Sequence, residues 1–155
     1  MTDIIFKECF SMVEPDTIKL LRECNAGIKM GVSSIDEVLH AVKDERLKKL
    51  LTANKQEHEK LGGETTQMLN DYSDDGKEPN PIAKGMSWMK VNMKLGMDNS
   101  DATVADLITD GCNMGVKSLS RYLNQYAAAE EKVKDLTKKL IKLEEDLSVS
   151  MREFL

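Results

Sequence analysis

The stretch GCNMGVKSLSRYL, Gly111 to Leu123, sets two glycines four residues apart inside a segment whose spacing otherwise reads as helix. It has a counterpart. Laid over GIKMGVSSIDEVL, Gly27 to Leu39, it is identical at six of thirteen positions: both glycines, the methionine, the valine, one serine and the final leucine. Amphipathic helices share leucines by virtue of their periodicity, but they do not share glycines. Each glycine costs roughly 0.5–1 kcal/mol against alanine in a helix interior. Two matching segments 84 residues apart therefore predict an internal repeat, with a physical reason for bare backbone at Gly27, Gly31, Gly111 and Gly115.

The chain around them reads as helix throughout. From Pro15, well suited to a first helical turn, Leu21, Cys24, Ile28, Gly31, Ile35, Val38 and Val42 recur at spacings of three and four, which predicts a helix over about 15–42. Asp44 is placed to cap a second, about 44–72, on the stripe Leu47, Leu51, Asn54, His58, Leu61, Thr65, Met68 and Tyr72. The turn-forming run SDDGKEPNP, Ser73 to Pro81, interrupts the pattern. Asn80-Pro81 opens a short helix over about 81–97, and DNSD, Asp98 to Asp101, ends it and caps a third long helix over about 101–126. A fourth, about 130–154, turns Val133, Leu136, Leu140, Leu143, Leu147 and Phe154 inward. Tight corners within each pair and a long connection between pairs predict an all-α, four-helix up-down-down-up bundle over 15–155, whose crossover contains the short helix. Residues 1–14 form a separate N-terminal apolar segment.

Two helical hairpins, a long crossover and internal pseudo-symmetry resemble the ferritin-like superfamily, nearest its small uncharacterised bacterial members. The resemblance covers Pro15 to Leu155 and rests on architecture instead of a signature motif. It implies a possible di-metal centre: a Glu on each of two helices and Glu-x-x-His on each of the other two. The residues leave that centre degenerate. His58 falls halfway down the second helix, but Lys55 stands three residues before it, and an ammonium repels a cation. The matching level of the fourth helix holds Leu143, Glu144 and Glu145 without a histidine, and the first and third helices present Ile28, Gly31, Gly111 and Gly115. The one intact Glu-x-x-His, Glu37 to His40, lies at a corner, some ~15 Å along the axis from His58, whereas zinc or iron needs ligands near ~2.1 Å.

His58 and Asn54, one turn apart on the core stripe, require internal hydrogen bonds. They read as a satisfied polar layer, or as a single-metal or ligand site with Glu144 opposite. Acid pairs such as Glu144-Glu145, among lysines, read as solvated faces. The glycines read as a close contact between the first and third helices, with a pocket for a flat ligand as the rival. Met86, Met89, Met93 and Met97 form one stripe on the short helix and read as a seal over the bundle flank or an oligomer interface, with copper or haem ligation less supported because no His or Cys accompanies them.

Composition narrows the function classes. A net charge of −5 with interspersed signs gives no basic face for nucleic acid and no polybasic anchor for membranes. Cys9, Cys24 and Cys112 lack a CxxC pair and fit reduced thiols in a cytoplasm. No signal-peptide pattern or membrane-length apolar run stands in the chain. Phosphate-binding loops and nucleophile elbows are absent from the sequence. The expectation is a non-enzymatic, cytoplasmic binding or structural protein without catalytic residues or cofactor, acting through a protein partner or self-association, including a homo-oligomer. Ile4, Ile5, Phe6 and Phe10 serve either as its interaction surface or as a cover for its own bundle. The alternatives are a metal-dependent oxidoreductase or iron-handling protein, and a small-ligand carrier with a mid-bundle pocket.

Overall fold

A computed structural model describes residues 14–155, and every regular element in that span is helical. The N-terminal patch of Ile4, Ile5, Phe6 and Phe10 lies outside the described residues. Helix α1, Pro15–Leu39, starts on a proline with Asp16 in its first turn, where an acid complements the helix dipole. Helix α2, Glu45–Asp71, is capped by Asp44, whose carboxylate accepts from the Arg46 and Leu47 amides at 2.7 and 3.1 Å. Helix α3, Pro81–Met97, is capped by Asn80, which accepts from the Ile82 amide at 2.9 Å. Helix α4 spans Asp101–Gln125 with Ser100 as its cap, and α5 spans Glu131–Met151, followed by a 3₁₀ turn over Arg152–Phe154.

Helix α1 stops at Leu39, short of the Val42 expected from its stripe. The cause is Asp101: its carboxylate accepts from the Lys43 and Asp44 amides at 2.8 and 3.0 Å, which draws those donors out of a helical path. Likewise α5 gives way to the tighter 3₁₀ turn at Arg152, one way for a helix end to satisfy its last carbonyls.

Helix α1 packs along α2 and α4, and α5 packs along α2 and α4, while α1 and α5 also touch. Polar contacts fix the ends. Asp101, at the start of α4, meets the α1–α2 corner as described, and at the other end the Thr17 hydroxyl of α1 accepts from the Glu130 amide at 2.9 Å. Arg46 at the start of α2 pairs with Glu153, just beyond α5, at 3.0 Å.

Buried apolar residues divide into two clusters. One holds Ile35, Val38, Leu47, Leu51, Ile108, Cys112 and Leu147; the other holds Leu21, Ile28, Leu61, Leu119, Leu136 and Leu140. Along each long helix the change from one cluster to the other falls at one place: around Gly31 in α1, His58 in α2, Gly115 in α4 and Glu144 in α5. Helix α3 lies apart, touching α1 and α4, and Val91 is its one buried residue.

Candidate functional site

Between the two apolar clusters lies a polar layer. Two of the described residues in it are ionisable side chains of opposite sign: His58 is 1% exposed and Glu144 8% exposed. Helical periodicity puts His58 on the buried face of α2, between Leu51 and Leu61, and Glu144 on that of α5, between Leu140 and Leu147. The His58 Nε2 stands 2.6 Å from Glu144 Oε1, and Nδ1 stands 3.1 Å from the Asn54 carbonyl oxygen one turn back. A carbonyl only accepts, so Nδ1 carries a proton and donates it.

Burial pulls the imidazole toward its neutral form. The Glu144 hydrogen bond and charge, together with the Asn54 carbonyl, outweigh that pull and raise the His58 pKa above its ordinary value. With Nδ1 already donating, Nε2 must carry a proton as well to bond an ionised Glu144, and the raised pKa favours this imidazolium form, whose Nε2–H donates to the carboxylate in a short charge-assisted bond. Cys112 of α4 lies beside the same carboxylate. Burial first, and then the Glu144 charge, hold its thiol well above the ordinary range, so the sulfur stays protonated and unreactive.

The glycines acquire a reason from this pair. A Cβ on Gly31 would sit 2.7 Å from His58 Nε2 and 2.8 Å from its Cδ2, and one on Gly115 would sit 3.4 Å from Glu144 Oε2. Bare backbone on α1 and α4 thus makes room for an ion pair projecting from α2 and α5. This corrects the expectation that α1 and α4 meet through all four glycines. Gly31 and Gly115 face the pair, Gly27 faces the side chains of Leu119 and Leu140 at ordinary contact distance, and a Cβ on Gly111 would meet nothing within 4 Å. Gly111 is exposed and closes no contact.

Glu144 lies opposite His58, where one of its two sequence readings set it, and is a core residue instead of the solvated acid of the other, while Leu143, expected inward, is only half-buried beside it. Asn54 is buried as expected, yet poorly satisfied: its amide donates to the Leu143 carbonyl at a long 3.4 Å, and its Oδ1 has no partner. The sequence signal that was available is positional. Glu144 stands as far beyond Glu130 as His58 stands beyond Asp44.

A metal does not fit this layer. His58 and Glu144 direct their nearest donor atoms at each other, the place of a third ligand is held by glycines, and no group of three or more His, Cys, Asp or Glu among the described residues could hold an ion. Lys55 points away, pairing with Asp36 at 2.7 Å. The Glu37 to His40 motif is also split: His40 is exposed, while Glu37 is half-buried, with one oxygen 3.5 Å from the Ser33 hydroxyl and the other unpartnered. A groove of about 580 Å³ runs past Ile28, Val32, Ser33, Asp36, Glu37 and Glu59, on the outside of α1 and α2, and the four glycines do not line it. Comparison of the chain with protein-family models, curated proteins and solved structures returns no match.

Two outcomes follow from this geometry. Gly111→Ala should stabilise the fold by about 0.5–1 kcal/mol in urea denaturation, because the helix gains a better former and the new methyl meets open space. The pH dependence has a definite sign. The folded chain holds the His58 proton more tightly than the unfolded chain, so this contribution is complete below the ordinary histidine pKa of about 6.5 and is lost as pH rises through the raised folded value. Denaturation midpoints measured between pH 6 and 9 should fall more steeply in the wild type than in His58→Gln.

Proposed function

We propose that this chain is a ferritin-like four-helix bundle, up-down-down-up, in which a buried histidine–glutamate pair stands where a metal centre would be. On this reading it serves as a cytoplasmic binding or structural protein and not as an enzyme. The observation that carries the reading is the 2.6 Å contact between His58 and Glu144, which turns the two best candidate ligands into each other's partners.

The end contacts support the topology. The start of α4 sits at the α1–α2 corner and the start of α1 at the α4–α5 corner, so α1 and α4 run in opposite directions, and the chain from Tyr72 to Asp101 travels the length of the molecule between them. The repeat is supported by register as well as by identity. At a constant offset of 86 residues, Leu47 matches Val133, Leu51 matches Thr137, His58 matches Glu144 and Leu61 matches Leu147, and all eight are buried. The paired ionisable groups are thus repeat equivalents that have diverged to opposite charge.

No helix among the described residues is long and apolar enough to cross a membrane. The buried free thiols Cys24 and Cys112 suit a reducing compartment. A protein partner or a second copy of the chain is the expected ligand class, since His58 and Glu144 at mid-height are already bonded to each other.

Elemental analysis tests the reading. Protein purified from iron- and zinc-supplemented culture should carry well under one ion per chain, and His58→Ala should not change that content. One or two ions per chain, released by His58→Ala, would overturn it in favour of a metal-dependent oxidoreductase or iron-handling protein.

A further inference from the structure

Helix α3 carries an apolar ridge that the other described residues leave bare. Ile82 is 73% exposed, Met86 67%, Met89 65%, Met93 66% and Met97 85%, so these methionines do not seal the flank of the molecule as one sequence reading had them. At 3.6 residues per turn the five fall within a band of roughly 80°, opposite the buried Val91, and extend over ~22 Å. Trp88, 56% exposed, lies about 100° around the helix from Met89, outside this ridge.

From this ridge we infer that α3 pairs with α3 of a second copy of the chain, antiparallel, about a two-fold axis near Met89. The inference names a partner for the binding role proposed above and rests on that role only for its purpose, not for its geometry.

Four observations select a second copy. The first is area: five large side chains, each about two-thirds or more exposed at roughly 200 Å² apiece, offer on the order of 700 Å², close to what one partner contributes to a standard stable interface. The second is symmetry. A two-fold contact is self-complementary, and an axis near Met89 sets Ile82 against Met97 and Met86 against Met93 of the opposite helix, so each apolar side chain meets another.

The third is charge. The only charged residues of α3 are Lys84, Lys90 and Lys94. Lys90 pairs with Asp110 at 3.1 Å, Lys94 with Asp106 at 3.0 Å, and Lys84 lies near Glu37. The ridge therefore bears no unmatched charge, and two copies approach without repulsion. The antiparallel order also sets the positive end of one helix dipole beside the negative end of the other.

The fourth is the stability of α3 itself. A 17-residue helix is marginal alone, and this one contains Gly85 and Gly96 and buries a single side chain among the described residues. Both glycines have nothing within 4 Å, and they leave space at the edge of the ridge for the side chains of a partner helix.

Sedimentation equilibrium of the full chain at about 100 µM, well above a micromolar Kd, tests the pairing. The wild type should have twice the chain mass, and Met89→Glu with Met93→Glu should raise the dissociation constant at least 100-fold with an unchanged helical spectrum, because both sites are already exposed in one copy. Met89→Cys should cross-link to its own kind under mild oxidation. A wild-type monomer at that concentration overturns the inference, whether or not it then binds anionic phosphatidylglycerol vesicles. So does a dimer that survives the two glutamates, or a failure of Met89→Cys to cross-link. Metal content is read separately, so an ion-loaded chain would sink the non-enzymatic reading and leave the dimer mass standing.

Discussion

The ion pair between His58 and Glu144 is the constraint around which the other helices are arranged. Removing two charges from water costs several kcal/mol per ion, and the attraction at 2.6 Å offsets that cost without exceeding it by much. The pair is therefore a weak source of net stability and a strong source of register. Displacing either helix by one turn would bury an uncompensated charge, at about 3–5 kcal/mol. This asymmetry explains why α1 and α4 present glycine at the same height. A side chain at Gly31 would push the imidazole off its partner, whereas at Gly115 a Cβ would come to rest against the Glu144 carboxylate at 3.4 Å.

The same layer governs the chemistry of the molecule. A carboxylate and an imidazole at the centre of a helical assembly are the raw material of a metal site, but here the two are bonded to each other. Cys112 adds no reactivity, because the neighbouring carboxylate and burial keep its thiol protonated. The Asn54 Oδ1 remains the unsatisfied atom of the layer, in a structure where the other buried side-chain groups, with the exception of one Glu37 oxygen, have partners among the described residues. On the outside of the protein, α3 sets a row of methionines against solvent.

Much of the helical layout was legible in the sequence because it depends on short-range signals. Pro15, Asp44, Asn80 and Ser100 mark helix starts through local hydrogen bonds or fixed dihedrals, and the three-and-four spacing of leucines assigns the buried faces. The end of α1 was not legible, since the Asp101 carboxylate that takes the Lys43 and Asp44 amides is 57–58 residues away in the chain. Glu144 was open to two readings, a solvated face or a place opposite His58, for a related reason. Next to Glu145 and among lysines it has the composition of a surface, and only its pairing with His58, across two helices, accounts for its burial. The glycines signalled a close approach correctly, but what approaches is a pair of side chains from the other two helices, which no local pattern reveals.

The central claim is that Gly31 is glycine because the His58 ring fills the space beside it, and a mutant cycle tests this most directly. Gly31→Ala, measured by chemical denaturation at neutral pH, should destabilise the wild type by about 1–3 kcal/mol, as overpacking displaces the ring from Glu144 and the Asn54 carbonyl. In a His58→Ala background the same change should become stabilising, by about 0.5–1 kcal/mol, as helix propensity alone dictates. An effect of the same sign and size in both backgrounds would contradict the account.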